Sequence, residues 1–464
     1  MINVNTDLSP GALLPKLDQF FSMAGDKIRL LDGEWNSAQG SPVVTINGKY
    51  ATRGWTEWTQ GFQFGCALLQ FDATGDEEFL DLGRQRTLDL MPPHLTHMGV
   101  HDHGFNTVST FGNLLRLINE GRIDAQEWEK RYLELAIKVS GAVQASRWTG
   151  LPDDLGFVYS FNGPHSLFSD TIRSMRSLVW SHALGHVLKG EHDAVNNLLG
   201  RALEHAETTS RFNVYFGNGR DSYDEYGRVA HESIFNLNDG SYRCPSSQQG
   251  YSAFTTWTRG QAWILCGYSE QLEFLGAVPA SEFEGLKNPL FHDKAAVLNR
   301  LKEVATATAE HYIRETPVDG IPYWDTGAPG LAGLGDYRDR PAEPHNAHEP
   351  VDSSAAAISA QGLIRLGVVL KAMNEPDADR YLKAGLTVAS RLFEEPYLST
   401  DPNHHGLLLH SVYHRPGGWD HIPDGQSIPC GESSMWGDYH AMELALLIKR
   451  MANGGYYQFA RWGN

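Results

Sequence analysis

The chain reads as an all-α protein, an (α/α)6 barrel of six helix pairs carrying small β-hairpin excursions at one end. Three observations predict this. Apolar helical segments alternate with amphipathic, more charged ones. Polar and aromatic groups recur at the start of one apolar segment after another. Three long Gly-, Pro- and Asp-rich excursions each precede an apolar segment. The whole of residues 1–464 is read as one domain built this way.

In chain order, residues 9–24 form the first amphipathic helix. The segment Trp58-Thr59-Gln60-Gly61-Phe62 leads into an apolar helix reaching Phe71. A charged helix follows from Glu77 to Leu90, stopped by Pro92-Pro93. His101-Asp102-His103-Gly104-Phe105 opens the second apolar helix, which runs to Ile118, and its partner spans 125–146. The third apolar helix is expected over 166–188, with a partner over 193–210. Residues 212–250 break the pattern and read as an excursion with one or two hairpins. The fourth pair covers 258–275 and 291–314, and a second excursion fills 316–350. The fifth pair starts at Asp352 and continues over 376–394, the third excursion is 396–432, and the last apolar helix is 439–451. Apolar helices belong inside and amphipathic ones outside. All three excursions then fall at the end where the inner helices begin, with their free N–H groups and positive dipole ends.

Bulk composition narrows the function. A formal charge of −18 argues against nucleic acid and against an anionic membrane surface. Hydrophobic residues make up 41% of the chain, enough for a sizeable core. The four cysteines, Cys66, Cys244, Cys266 and Cys430, have no paired spacing, and no C-x-x-C metal pattern is present. No metal or cofactor is expected. The first residues lack a basic start followed by an apolar block, and no run of about 18 apolar residues occurs. A cytoplasmic protein with no membrane span, monomeric or homodimeric, is the expectation.

Two acids compete for a catalytic role. Asp102 stands between two imidazoles just ahead of an apolar helix, where an ordinary Asp would cap the helix. Asp170 lies in Phe168-Ser169-Asp170-Thr171-Ile172-Arg173, inside an apolar segment. Desolvation there is expected to raise its pKa and suit it to general acid work, unless it caps the helix or pairs with Arg173. A second dense stretch runs from Gln248-Gln249-Gly250 to Trp257-Thr258-Arg259-Gly260-Gln261-Ala262-Trp263. Trp257 and Trp263 are expected to line a sugar ring and Arg259 to hold a carboxylate in its fork, against the alternatives of core packing and helix bridging. His231, in the preceding hairpin, is a candidate for the same pocket, against the commoner alternative of a structural histidine. Asp153 and Asp154 read as solvated loop acids.

These motifs, in this order and spacing, resemble the unsaturated glucuronyl hydrolases of glycoside hydrolase family 88, with the unsaturated rhamnogalacturonyl hydrolases of family 105 behind them. The resemblance spans most of the chain and continues through Gly320-x-Pro322-Tyr323-Trp324-Asp325, Asp352-Ser353-Ser354 and Trp436-Gly437-Asp438-Tyr439. It implies hydration of a C4=C5 double bond in a terminal unsaturated uronic acid, with release of the next sugar of a small oligosaccharide. By that resemblance Asp170 is the general acid and base, and Asp102 the second acid. Trp58, His101, His231, Gln249, Trp257, Arg259 and Trp263 would then hold the substrate. Gln248 and His103 depart from the family pattern and bear on the substrate rather than the reaction. The last excursion, with Arg415, Trp419, His421 and Glu432, is expected to shape the site of the leaving sugar. The rivals are a sugar isomerase or 2-epimerase on the same barrel, an ordinary β-glucuronidase, and a non-catalytic carbohydrate-binding protein.

Overall fold

Helices that are apolar on every side have to be enclosed, and here they enclose one another. In the computed structural model, which describes residues 1–463 apart from the side chains of residues 55–57, six helices form a closed inner ring. In chain order the barrel helices are α1 (Leu14–Glu34), α2 (Gln60–Thr74), α3 (Glu77–Leu90), α4 (His103–Thr107, a π turn at Val108–Gly112, and Asn113–Asn119) and α5 (Glu127–Ser146). They continue as α6 (Thr171–Ser174 and Arg176–Ala183), α7 (Leu198–Phe212), α8 (Thr258–Gly276), α9 (Lys294–Glu315), α10 (Ser353–Ala372), α11 (Ala378–Leu392) and α12 (Met435–Ala452). The inner ring runs α2, α4, α6, α8, α10, α12 and back to α2. The N-terminal helix α1 packs against α2 and α12, so it completes the outer layer that α12 would otherwise lack.

The outer helices are amphipathic, and three of them start on side-chain caps. Asp76 accepts from Glu78 N ahead of α3, Asn197 from Gly200 N ahead of α7, and Asp293 from Ala295 N and Ala296 N ahead of α9. The inner helices are buried nearly end to end. By length and hydropathy α10 would qualify as a membrane span, against the expectation of none, but 89% of its apolar window is buried among its neighbours. It is the core helix of a barrel, and its composition reflects that enclosure.

Four small antiparallel sheets lie among the described residues. Ser41–Ile46 pairs with Lys49–Arg53, Trp148–Gly150 with Gly156–Val158, and Val187–Lys189 with Val195–Asn197. The fourth orders Ser166–Phe168, Glu232–Phe235 and Tyr242–Ser246 side by side. This sheet corrects the expected helix over 166–188. Ser166, Leu167 and Phe168 pair with Ile234, Ser233 and Glu232 as an extended strand, and the helix begins only at Thr171. Asp170 therefore sits at a helix entrance and not within a helix. The first helix also begins and ends later than expected, at Leu14 and Glu34.

The middle of the barrel is filled by charge. Arg173, Arg176 and Arg365 meet Glu270, Glu273 and Glu443, all buried except the half-buried Glu273. Arg173 donates from Nε to Glu270 Oε2 at 2.9 Å and from Nη2 to Glu443 Oε2 at 2.7 Å. Three cations and three anions balance, the condition under which buried charges are tolerated. Arg173 is thereby withdrawn from Asp170, which removes the pairing that would have made Asp170 a structural acid.

Candidate functional site

The loops that enter the inner helices converge on one pocket of about 500 Å³, within the roughly 300–1,000 Å³ usual for small-molecule sites. Five of the six loops ahead of inner helices contribute. They bring Gly54 and Trp58 before α2, His97 and Gly99 to Asp102 before α4, Phe161 and Asp170 before α6, Gln248, Gln249 and Trp257 before α8, and Tyr413, His414 and Trp419 before α12. A second gap, among Lys27, Tyr50, Cys66 and Asp438 between α1, α2 and α12, has room for only about 40 Å³ and cannot seat a sugar.

Asp102 and Asp170 both stand at the N-cap position of an inner helix, and neither caps it. Asp352 and Ser434 do cap α10 and α12, accepting from Ser354 N and Gly437 N. The difference frees two carboxylates for the pocket. Close helix contact brings them together. A Cβ on Gly104 would fall 2.3 Å from Ser174 O, so only glycine lets α4 approach α6 this closely. Ser174 stitches the contact, accepting from Gly104 N at 2.8 Å and donating to His101 O at 2.7 Å.

Between the two acids lies one nitrogen. His101 Nε2 is 3.1 Å from Asp170 Oδ1 and 3.9 Å from Asp102 Oδ1. The imidazole is 2% exposed, lies parallel to Phe161 at 6.2 Å and meets the edge of Phe168 at 5.7 Å. Burial opposes charge on His101, but Asp102 and Asp170 together carry its pKa above the ordinary imidazole value. Burial also raises Asp102, aided by the neighbouring Asp170 charge and opposed by His101, and the net direction is up. For Asp170 burial again works upward, but the His101 charge and hydrogen bond, with His231 and Thr171, bring it below the ordinary carboxylate value. This reverses the expectation of a desolvated Asp170 with a raised pKa. These directions bias the proton shared by the His101–Asp170 pair toward the imidazole and leave Asp170 as its carboxylate partner.

Trp58, Trp257 and Trp263 all line the pocket, as does Gln249. Trp58 stacks on Trp436 at 5.3 Å, and Trp263 packs on Phe105 at 5.0 Å to form the floor. Two residues take other parts than expected. Arg259 reaches the wall, but its guanidinium donates from Nη1 to Asp352 Oδ2 at 2.7 Å and to Val412 O, and from Nη2 to Tyr413 O at 2.6 Å and Gln249 Oε1 at 3.1 Å. The fork bridges α8, α10 and the last excursion. His231 lies behind the wall, between Phe168 and Trp257, each 4.6 Å away. Its Nδ1 accepts from Gln248 N and Gln249 N, so the ring is neutral and aims the Gln248-Gln249 turn. Burial pushes its pKa down to about 4.

The last excursion supplies Tyr413, His414 and Trp419, an aromatic side of the mouth with His414 and Trp419 at 4.4 Å. Arg415, His421 and Glu432 are not on the pocket wall. Glu432 instead anchors the hairpin turn through Thr45 Oγ1 and Asn47 N, and His421 meets Asn47. The excursion over 316–350 stays outside the pocket and works through Asp325, whose carboxylate accepts from Tyr251 N at 2.9 Å and steadies the Gln249 loop. Phe161, His97, Tyr413 and His414 were not singled out in the sequence. The cue that existed for the last two was their place six and five residues before Trp419, just ahead of Gly417-Gly418. Asp153 and Asp154 are exposed loop acids, as expected. Among the described residues, no group of three His, Cys, Asp or Glu side chains is arranged to hold a metal ion.

No family model matches the chain. The chain is 26% identical over 420 residues to an unsaturated glucuronyl hydrolase of Bacillus sp. (strain GL1), covering 89% of this chain and 92% of that one. It is 23% identical over 439 residues to an unsaturated chondroitin disaccharide hydrolase of Streptococcus pyogenes serotype M1, covering 93% and 90%. The crystal structure of unsaturated glucuronyl hydrolase from Bacillus sp. GL1 superposes with a TM-score of 0.68 at 23% identity, over 97% of this chain and 100% of that one. An unsaturated glucuronyl hydrolase specific for heparin gives 0.69 at 19% identity, over 96% and 99%. These superpositions establish the (α/α)6 barrel.

Proposed function

We infer that this chain, an unsaturated glucuronyl hydrolase-like protein by sequence and by fold, is a glycoside hydrolase releasing a 4,5-unsaturated uronic acid from the non-reducing end of lyase-generated oligosaccharides. The observation that carries this reading is the pair of uncapped acids, Asp102 and Asp170, facing one histidine nitrogen in a closed-bottomed pocket. Such a pair is built to move protons, and a pocket closed by Trp263 and Phe105 takes the tip of a sugar chain.

Asp170 delivers a proton to C4 of the vinyl ether, and water adds at C5. The water's surplus proton returns to Asp170. The hemiketal at C5 opens, leaving a hemiacetal at C1 that expels the next sugar. The anomeric carbon is not attacked, so the spacing rule that relates two carboxylates to retention or inversion does not govern this site. The lowered pKa of Asp170 beside His101 is consistent with this sequence of steps. A bound uronate brings a negative charge beside Asp170 and displaces water, and both changes raise a carboxyl pKa. Gln249 and the walls of Trp58, Trp257 and Trp263 orient the ring, while Arg259 and His231 hold those walls in place.

The test is a panel of lyase-generated disaccharides followed by loss of the ultraviolet absorbance of the C4=C5 double bond. Bleaching together with release of the reducing sugar supports the reading. Isomerised product with the absorbance retained would favour the epimerase, and turnover of saturated p-nitrophenyl glucuronide would favour an ordinary glucuronidase.

A further inference from the structure

We propose that His101 stores the proton that Asp170 delivers, with Asp102 holding it there between turnovers. The inference rests on the hydration reading above and adds a positioning residue that acts through Asp170. Three features of the geometry carry it. His101 meets both acids through the same nitrogen, Nε2, which donates to Asp170 Oδ1 at 3.1 Å and has Asp102 Oδ1 at 3.9 Å. Its other nitrogen, Nδ1, is buried without a hydrogen-bond partner, so the ring's hydrogen bonding is through Nε2 to Asp170. The ring is fixed by Phe161 and Phe168, and its backbone carbonyl by Gln144 Nε2 at 2.8 Å and Ser174 Oγ at 2.7 Å. A ring this constrained, 2% exposed and reaching only acids, serves better as a relay than as a sugar-hydroxyl contact.

The steps balance. When the anionic sugar end enters, the Nε2–H bond breaks and an Oδ1–H bond forms on Asp170. That bond then breaks as C4–H forms, and water bonds to C5. The water's proton passes to Asp170 and on to Nε2, which restores the resting state with one water consumed. Groups facing the ring from each packed element are Asp102 on its own loop, Asp170 before α6, Arg147 at the end of α5 and His205 on α7, with His231 behind Asp170. Arg147 disfavours the imidazolium, but its guanidinium is directed at Met98 O, Tyr159 O and Ser160 O. His205 is neutral, accepting from Val158 N at its Nδ1. The two carboxylates therefore dominate.

Two measurements decide it. In protein labelled at histidine Cε1, the His101 resonance, assigned by its loss in His101→Gln, is expected to titrate above the ordinary imidazole range and to move down by about one pH unit or more in Asp170→Asn. A His101 that titrates below that range, or is indifferent to Asp170→Asn, overturns the proposal without reference to any substrate. In the bleaching assay, His101→Gln is expected to keep KM within about threefold. Its kcat should fall about a hundredfold at neutral pH. The alkaline limb of its pH profile should shift acidward by about one unit, because Asp170 then has to hold its own proton. An unshifted limb, or a loss confined to KM, overturns the relay while wild-type bleaching leaves the function standing. Absence of bleaching in the wild type overturns the function and the relay with it.

Discussion

Arg259 and Asp352 are joined at 2.7 Å across the entrances of two adjacent inner helices, and Asp352 at the same time caps its own helix through Ser354 N and Ala355 N. The guanidinium is thus a keystone for the pocket wall. Arg259→Lys leaves a single point charge that cannot reach Asp352, Val412 O, Tyr413 O and Gln249 together. Loss of about 3–5 kcal/mol of stability is expected in urea unfolding, as for any broken buried pair. KM should rise to the same degree for an anionic substrate and for its neutral methyl ester. A defect confined to the anionic substrate would instead make Arg259 the carboxylate's partner.

Asp170→Asn preserves shape and removes the ionisable carboxyl group. Turnover is expected to fall about a thousandfold with KM little changed. Retention of more than about a tenth of wild-type kcat would take proton transfer away from Asp170.

Gly104→Ala places a methyl group 2.3 Å from Ser174 O. Separation of α4 from α6 should cost about 1–3 kcal/mol and depress kcat, since the same contact holds His101 against Asp170. Gly33→Ala, on the exposed face of α1 with nothing within 4 Å of the added methyl, is the control. It should leave activity unchanged and add about 0.5–1 kcal/mol.

Trp419→Ala removes an aromatic face at the mouth, where it packs against His414 and Tyr413. KM for a disaccharide should rise about tenfold, or about 1.4 kcal/mol, with kcat on saturating substrate unaffected. An equal loss in kcat would place Trp419 among the groups that position the reacting ring.

Acid should destabilise the protein steeply. Burial pushes His94, His103 and His231 down to about 4, and His205, His311 and His410 down to about 3. An unfolded histidine takes its proton near 6.5, whereas these six refuse it while folded. Their contribution is complete above about pH 6.5 and is lost as pH falls toward 4, at about 1.4 kcal/mol per pH unit for each proton taken up on unfolding. Glu204 and Asp325, pushed up by burial to about 7 and about 6, bind a proton in the folded state first and offset two of the six below those pH values. Tm measured from pH 7 to pH 5 should therefore drop sharply, and a flat profile would contradict the burial of these rings.

Much of the barrel was legible because alternation of apolar and amphipathic helices is a local signal. Glu77 to Leu90 was predicted to the residue, and Asp352 and Thr258 mark helix starts where the pattern put them. The strand Ser166–Phe168 was hidden because its partner, Glu232–Phe235, lies more than sixty residues away and the segment is apolar in either conformation. The site shows the same division. Asp102, Asp170 and the tryptophans were visible as polar or aromatic groups at helix entrances. The occupation of Arg259 by Asp352 and by carbonyls at 412 and 413 depends on contacts that no local window contains. The pKa of Asp170 followed the same course, since burial alone could be anticipated and the imidazole beside it could not.

With Trp263 and Phe105 across the bottom and the balanced ion cluster beneath them, the well has a single door. A polymer cannot thread through it, and a unit flanked on both sides cannot seat. Only a chain tip enters, one unit is removed per visit, and departure is ordered: the outer fragment has to vacate before the freed tip can leave.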